Sequence, residues 1–239
     1  MFSFNNNNVF VFNEQLLMAA SKGDLDGIAE ALANGADINY APREITPLQL
    51  AVSNQKKEMV QYLLDNGANS NVKNRRGWTP FHEVARLGFS DLIEPFLNDS
   101  LFVSLNAKDE NGDTPLRAAV DTQKEEFIVK LIELTQNSES NMRTLFINSV
   151  DYDGISPLAA AVKNDSFNIA KILIEAGAKP EHSEKNAMSA IDMAAGKDHF
   201  LFLFGQETKA EAEKVAIQEE LNKNATLGVS AITKKKRPS

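Results

Sequence analysis

The chain has 239 residues, 43% of them hydrophobic and 24% charged, which is ordinary for a globular protein able to bury a sizeable core. Asp and Glu outnumber Lys and Arg by 33 to 25, a net charge of −8 that argues against a protein tracking phosphate backbones. With no cysteine and only three histidines (His82, His182 and His199), the chain forms no disulfide, no thiolate metal site and no cysteine nucleophile.

Residues 1–12 read as an N-terminal lead-in. The asparagines at 5–8 are expected to loop, and the apolar residues 9–12 to pack against the first repeat unit. This stretch lacks the basic start and long apolar core of a secretory signal. The longest apolar run, residues 200–204, falls far short of the ~20 residues of a bilayer helix. A cytoplasmic protein that does not insert into membranes is the expectation.

From residue 13 onward one pattern returns along the chain. Glu14-Gln15-Leu16-Leu17-Met18-Ala19 is followed by Thr46-Pro47-Leu48-Gln49-Leu50-Ala51 and by Thr79-Pro80-Phe81-His82-Glu83-Val84. Thr114-Pro115-Leu116-Arg117-Ala118-Ala119, Ser156-Pro157-Leu158-Ala159-Ala160-Ala161 and a degenerate Ser189-Ala190-Ile191-Asp192-Met193-Ala194 complete the series. Each copy predicts two short helices and a turn. Thr or Ser caps the first helix, and Pro fits its first position, where an N–H is not needed. Small residues then permit close helix packing. A second apolar segment comes next, such as Met59-Val60-Gln61-Tyr62-Leu63-Leu64, and glycine ends it at Gly35, Gly67 and Gly177. Gly77, Gly112 and Gly154 mark the turn into the next copy.

This pattern resembles the ankyrin-repeat family, whose signature is Thr-Pro-Leu-His-x-Ala at a period of about 33 residues. The resemblance covers residues 13–205 and implies an all-α solenoid of about six stacked helix-turn-helix units joined by hairpin fingers. Three departures carry expectations of their own. The polar excess near 135–146 predicts an inserted loop. Residues 41–45 hold no glycine, so the finger of the second unit should be distorted. The last unit loses its proline and should act as a cap. Beyond it, residues 206–222 are expected to form a helix and 223–239 a disordered basic tail.

No phosphate-binding glycine loop, nucleophile elbow or paired catalytic carboxylates are legible, so no enzyme, cofactor or metal site is expected. His82 stands in the histidine slot of the motif, where the resemblance implies a structural ring. The resemblance further implies that another protein is bound on a concave surface, through finger tips and first helices. Carried over position by position, the binding residues are Arg75, Arg76 and Trp78, then Glu110, Asn111 and Asp113, then Tyr152, Asp153 and Ile155. Arg86, Leu87 and Asp121 join them from the first helices. Trp78, the only tryptophan, is read as an exposed anchor among arginines, both types being enriched at interface hot spots. Asp109, Glu110, Asp113 and Asp121 make the following finger acidic, giving a two-signed face that steers a partner. The molecule alone is expected to be a monomer. An alternative function is a secreted bacterial effector capturing a host protein. It rests on the likeness of the Glu-rich stretch after residue 206 to type IV secretion signals, with Lys234-Lys235-Lys236-Arg237 as a nuclear-import or solvated cluster.

Overall fold

A computed structural model describes residues 6–97, 101–136, 140–184 and 187–205. The expected tail helix (206–222), the basic tail (223–239), the loop centre (137–139) and the first five residues lie outside them. Among the described residues the regular structure is entirely helical.

The helices run α1 (Asn6–Lys22), α2 (Leu25–Ala33), α3 (Pro47–Ser53), α4 (Lys57–Asp65) and α5 (Pro80–Leu87). A 3-10 turn (Ser90–Leu92) leads into α6 (Ile93–Leu97), followed by α7 (Leu101–Asn106), α8 (Pro115–Asp121), α9 (Glu125–Leu134) and α10 (Ser140–Ile147). The series closes with α11 (Pro157–Lys163), α12 (Phe167–Glu175), α13 (Ala190–Met193) and α14 (Asp198–Leu203). The chain divides into two compact units, Met1–Met193 and Ala194–Ser239. In the smaller unit, α14 places Phe200 against His199, with ring centroids 4.4 Å apart, and the Lys197 ammonium 5.5 Å from the Phe200 ring.

In the larger unit the first helices form one layer in which each touches the next: α1, α3, α5, α8, α11, α13. The caps that start them are those the repeated Thr/Ser-Pro supplies. Thr46 accepts from the Gln49 N–H at 3.1 Å while the Gln49 side chain accepts from the Thr46 N–H at 2.8 Å. Ser156 caps α11 in the same way, without the reciprocal bond. Ser189 has lost its proline yet still caps: its hydroxyl oxygen accepts from the Asp192 N–H at 3.3 Å, while its own N–H and hydroxyl donate to the Asp192 carboxylate. Ala51, Ala85, Ala119 and Ala160 are buried between neighbouring helices, where a larger side chain would hold the layer apart. The second helices stack outside them, α4 on α6, and α9 on the 3-10 turn and α12. Between the layers Phe81 meets Phe96 and Phe127 at centroid distances of 5.2 and 6.1 Å. Burying rings of this size stabilises by roughly 2–3 kcal/mol each.

Two expectations are corrected. The asparagine-rich lead-in is not a loop from Asn6 onward: it is the first two turns of α1, with Phe10 and Val11 exposed. The insertion near 135–146 is not simply a loop either. From Ser140 it is α10, which buries Phe146 and Ile147 and packs beside α7. The segments leading into the turns at Gly112 and Gly154 thus each carry an extra helix, α7 and α10.

Candidate functional site

Three of the fingers are each held by one side chain three residues before the turn glycine. The Asn74 carboxamide oxygen accepts from the N–H groups of Arg76 and Trp78, at 2.9 and 3.1 Å. Asp109 does the same for Asn111 and Asp113, at 2.8 and 2.9 Å. Asp151 does it for Asp153 and Ile155, both at 2.9 Å. These are side-chain copies of a backbone turn, the reason Asn and Asp favour such places. Adjacent fingers are then stitched by main chain: the Tyr152 N–H donates to the Asn111 carbonyl at 3.0 Å, and that of Glu184 to the Gly154 carbonyl at 3.2 Å.

The turn itself needs a left-handed residue. Gly112 has φ +83°, and a Cβ there would sit 2.5 Å from the Tyr152 nitrogen. At the equivalent place in the second unit stands Glu44, with φ 60°. Its N–H donates to the Ala41 carbonyl at 3.2 Å, the same closure that Gly112 makes with Asp109. The finger expected to be distorted keeps its turn, and Glu44 carries the backbone strain instead.

Trp78 is half-buried. Its indole N–H donates to the Asp109 carboxylate of the next finger at 3.0 Å, and the guanidinium groups of Arg76 and Arg86 lie 5.0 and 5.4 Å from its ring. The ring is therefore both a tie between fingers and part of the surface, rather than a freely exposed anchor. Arg86 is locked by a two-point pair to Glu83, at 2.7 and 3.1 Å. Arg75 is 81% exposed and pairs with Glu44 at 3.1 Å. Glu110, Asn111 and Asp153 are exposed at the tips, and Tyr152 is 52% exposed with the Lys108 ammonium 5.7 Å from its ring. Leu87 and Ile155 are half-buried.

The acidic half of the face differs from expectation. Asp109 is buried, at 5% exposure, and committed to its own turn and to Trp78. Arg117, passed over in the sequence although Asp113 and Asp121 lie four residues to either side of it, gathers most of the remainder: Asp151 at 2.8 Å, Asp121 at 3.0 Å and Asp113 at 3.6 Å. Burial pushes the Asp113 carboxyl up to about 6, against the pull of Arg117 and with help from the neighbouring aspartates. His82 is buried at the base of the same finger. Its Nε2–H donates to the Asp113 carbonyl at 3.0 Å, which fixes the tautomer and leaves Nδ1 to accept from Thr79. Burial holds this ring below the usual imidazole range, although the Asp113 carbonyl and Asp109 pull the other way. Gln49 reaches across in the same manner, to the Val72 carbonyl at 3.4 Å.

Between the Glu44 finger and the Asn74 finger lies a hollow of about 300 Å³ lined by Ile45, Leu50, Trp78, Glu83 and Arg86 among others. A second, of about 390 Å³, adjoins it through Ile45, Asn74 and Arg76. Ile45 is 46% exposed at the junction. Neither hollow, nor any other place among the described residues, gathers three side chains able to hold a metal. No described helix is long and apolar enough to cross a membrane.

The family model for ankyrin repeats (three copies) matches residues 16–109 and 81–184. The mouse B-cell lymphoma 3 protein homolog is 30% identical over 155 residues, covering 64% of this chain and 33% of that protein. The chicken Arf-GAP with coiled-coil, ANK repeat and PH domain-containing protein 2 is 38% identical over 85 residues, 34% of this chain and 11% of that one. The chain thus spans a third or less of the length of these relatives. The crystal structure of the ankyrin repeat domain of Bcl-3 superposes with a TM-score of 0.69 over 81% of this chain and 86% of the other, at 24% identity. Capped first helices, a finger between successive helix pairs and the matched span agree: the chain belongs to the ankyrin-repeat family.

Proposed function

We propose that this chain binds another protein, without catalysis, on the concave face formed by its finger tips and the first helices behind them. Ankyrin repeats are a protein-interaction module, and the observation that favours this face is the division of labour within each finger. The turn is made by backbone and by Asn74, Asp109 or Asp151, so the tip side chains are not needed to build it. Pro42, Arg75, Glu110 and Tyr152 occupy equivalent tip positions and share no chemistry. Rigid turns presenting unlike side chains suit recognition by complementarity, and an interface of ordinary size takes roughly 800 Å² from each partner.

The test reverses charge at the tips, with Arg75→Glu and Glu110→Lys in one chain, and compares Lys171→Glu on the outer helix α12. Both variants should melt with the wild type. Only the tip variant should lose the protein that the wild type recovers from cells. Equal recovery by all three chains would sink the reading. The secreted-effector alternative rests on residues beyond 205, outside the described ones, and no described feature favours it.

A further inference from the structure

We infer that the paired hollows beside Trp78 dock an acidic segment of the partner, one apolar side chain seated against Ile45 and flanking carboxylates on the arginines. The inference deepens the proposed function and rests on it. Its first support is charge. In a chain of net charge −8, four arginines converge on these hollows: Arg43, Arg75, Arg76 and Arg86. Glu83 already holds Arg86. Arg75 is held by Glu44 in an exposed pair, which a competing carboxylate displaces at little cost. Among the described residues Arg43 and Arg76 have no ion-pair partner, and a guanidinium presents a fork that fits a carboxylate at two points.

The second support is shape. Ile45 stands exposed where the two hollows meet, with Leu50 half-buried below it, so the junction offers an apolar seat inside a cationic rim. A single-stranded nucleic acid is the rival ligand for arginine beside an aromatic ring, and the site disfavours it. The Trp78 ring already carries two guanidinium groups, which compete with a base for stacking. Glu44 and Glu83 also line the hollows, so a continuous polyanion meets repulsion that two well-placed carboxylates avoid. Farther along the row, Glu110 and Asp153 are exposed and reject a further acidic stretch, which fixes the segment's register.

The experiment selects a displayed library of random peptides on the full chain. It then measures synthetic winners by the fluorescence of Trp78, the sole tryptophan. The expected winners place Asp or Glu on both sides of Leu, Ile or Phe. Their binding should weaken about tenfold or more in Arg43→Glu/Arg76→Glu, and less in Arg43→Gln/Arg76→Gln. It should be unchanged in Lys171→Glu. No enrichment over a bait-free control, winners without an acidic bias, or a single-stranded RNA bound in preference to acidic peptides would each overturn the inference. Basic winners lost on Glu110→Lys/Asp153→Lys would overturn it while leaving the finger face as the binding surface. Winners indifferent to both pairs of substitutions would sink both readings.

Discussion

Glu44 and Gly112 hold the same turn at very different cost. A non-glycine residue in the left-handed region is strained by roughly 1–2 kcal/mol. Glu44→Gly removes that strain and loses only an exposed ion pair, so chemical denaturation should show a gain of about 0.5–1 kcal/mol. Gly112→Ala adds both strain and a Cβ 2.5 Å from a backbone nitrogen, and should cost about 3 kcal/mol or more. Trp78→Ala should lower stability by about 2 kcal/mol, because it removes a half-buried ring and leaves Asp109 without its indole donor. An unchanged melt would show the ring to be mere decoration. Asp113 carries a pH signature. Its folded value of about 6 lies above the ordinary carboxylate range, so the folded state holds the proton more tightly than the unfolded chain. Its contribution to stability is full at low pH and declines as pH rises from about 4 to about 6. The melting temperature of Asp113→Asn should therefore gain on that of the wild type as pH is raised through this window, and a constant difference would contradict the assignment.

At the level of helices, the sequence was legible wherever a residue type has one dominant local use. Thr-Pro marked the starts of α3, α5 and α8, and Ser-Pro that of α11, because a cap followed by a residue without an N–H suits little else. Where the outcome depends on neighbours it was not. Residues 6–12 looked like a loop by asparagine content, yet they continue α1. The polar stretch after α9 hid α10, whose reason to exist is the contact of its buried Phe146 and Ile147 with the rest of the stack. Gln55, Gln123 and Asp165 take positive φ at the bend between paired helices, a demand that no glycine announced. Arg117 was missed for a mixed reason: Asp113 and Asp121, four residues to either side, were a usable local signal, and only the fold adds Asp151. The turn residues Asn74 and Asp151 had a usable signal, since each lies three residues before its turn glycine. Phe146→Ala should cost roughly 3–5 kcal/mol in denaturant unfolding, as for any fully buried aromatic. A loss within experimental error would restore the loop.

Across the larger unit each repeat touches chiefly its neighbours, so the packed core and the proposed binding face draw largely on different residues, with Trp78 shared between them. The alanines and phenylalanines between layers hold the stack together, while the tips contribute little to it and vary in charge along the row. The cationic end (Arg43, Arg75, Arg76) and the anionic end (Glu110, Asp153) lie on successive fingers, an arrangement that under the proposed function would orient a partner more than tighten it. The most direct measurement places a photo-crosslinking amino acid at position 75 on a finger tip and, separately, at position 171 on α12, in cells that express the chain. Adducts to the same protein from position 75, with none from 171, are the predicted result. Adducts from 171 alone would contradict the finger face as the binding surface.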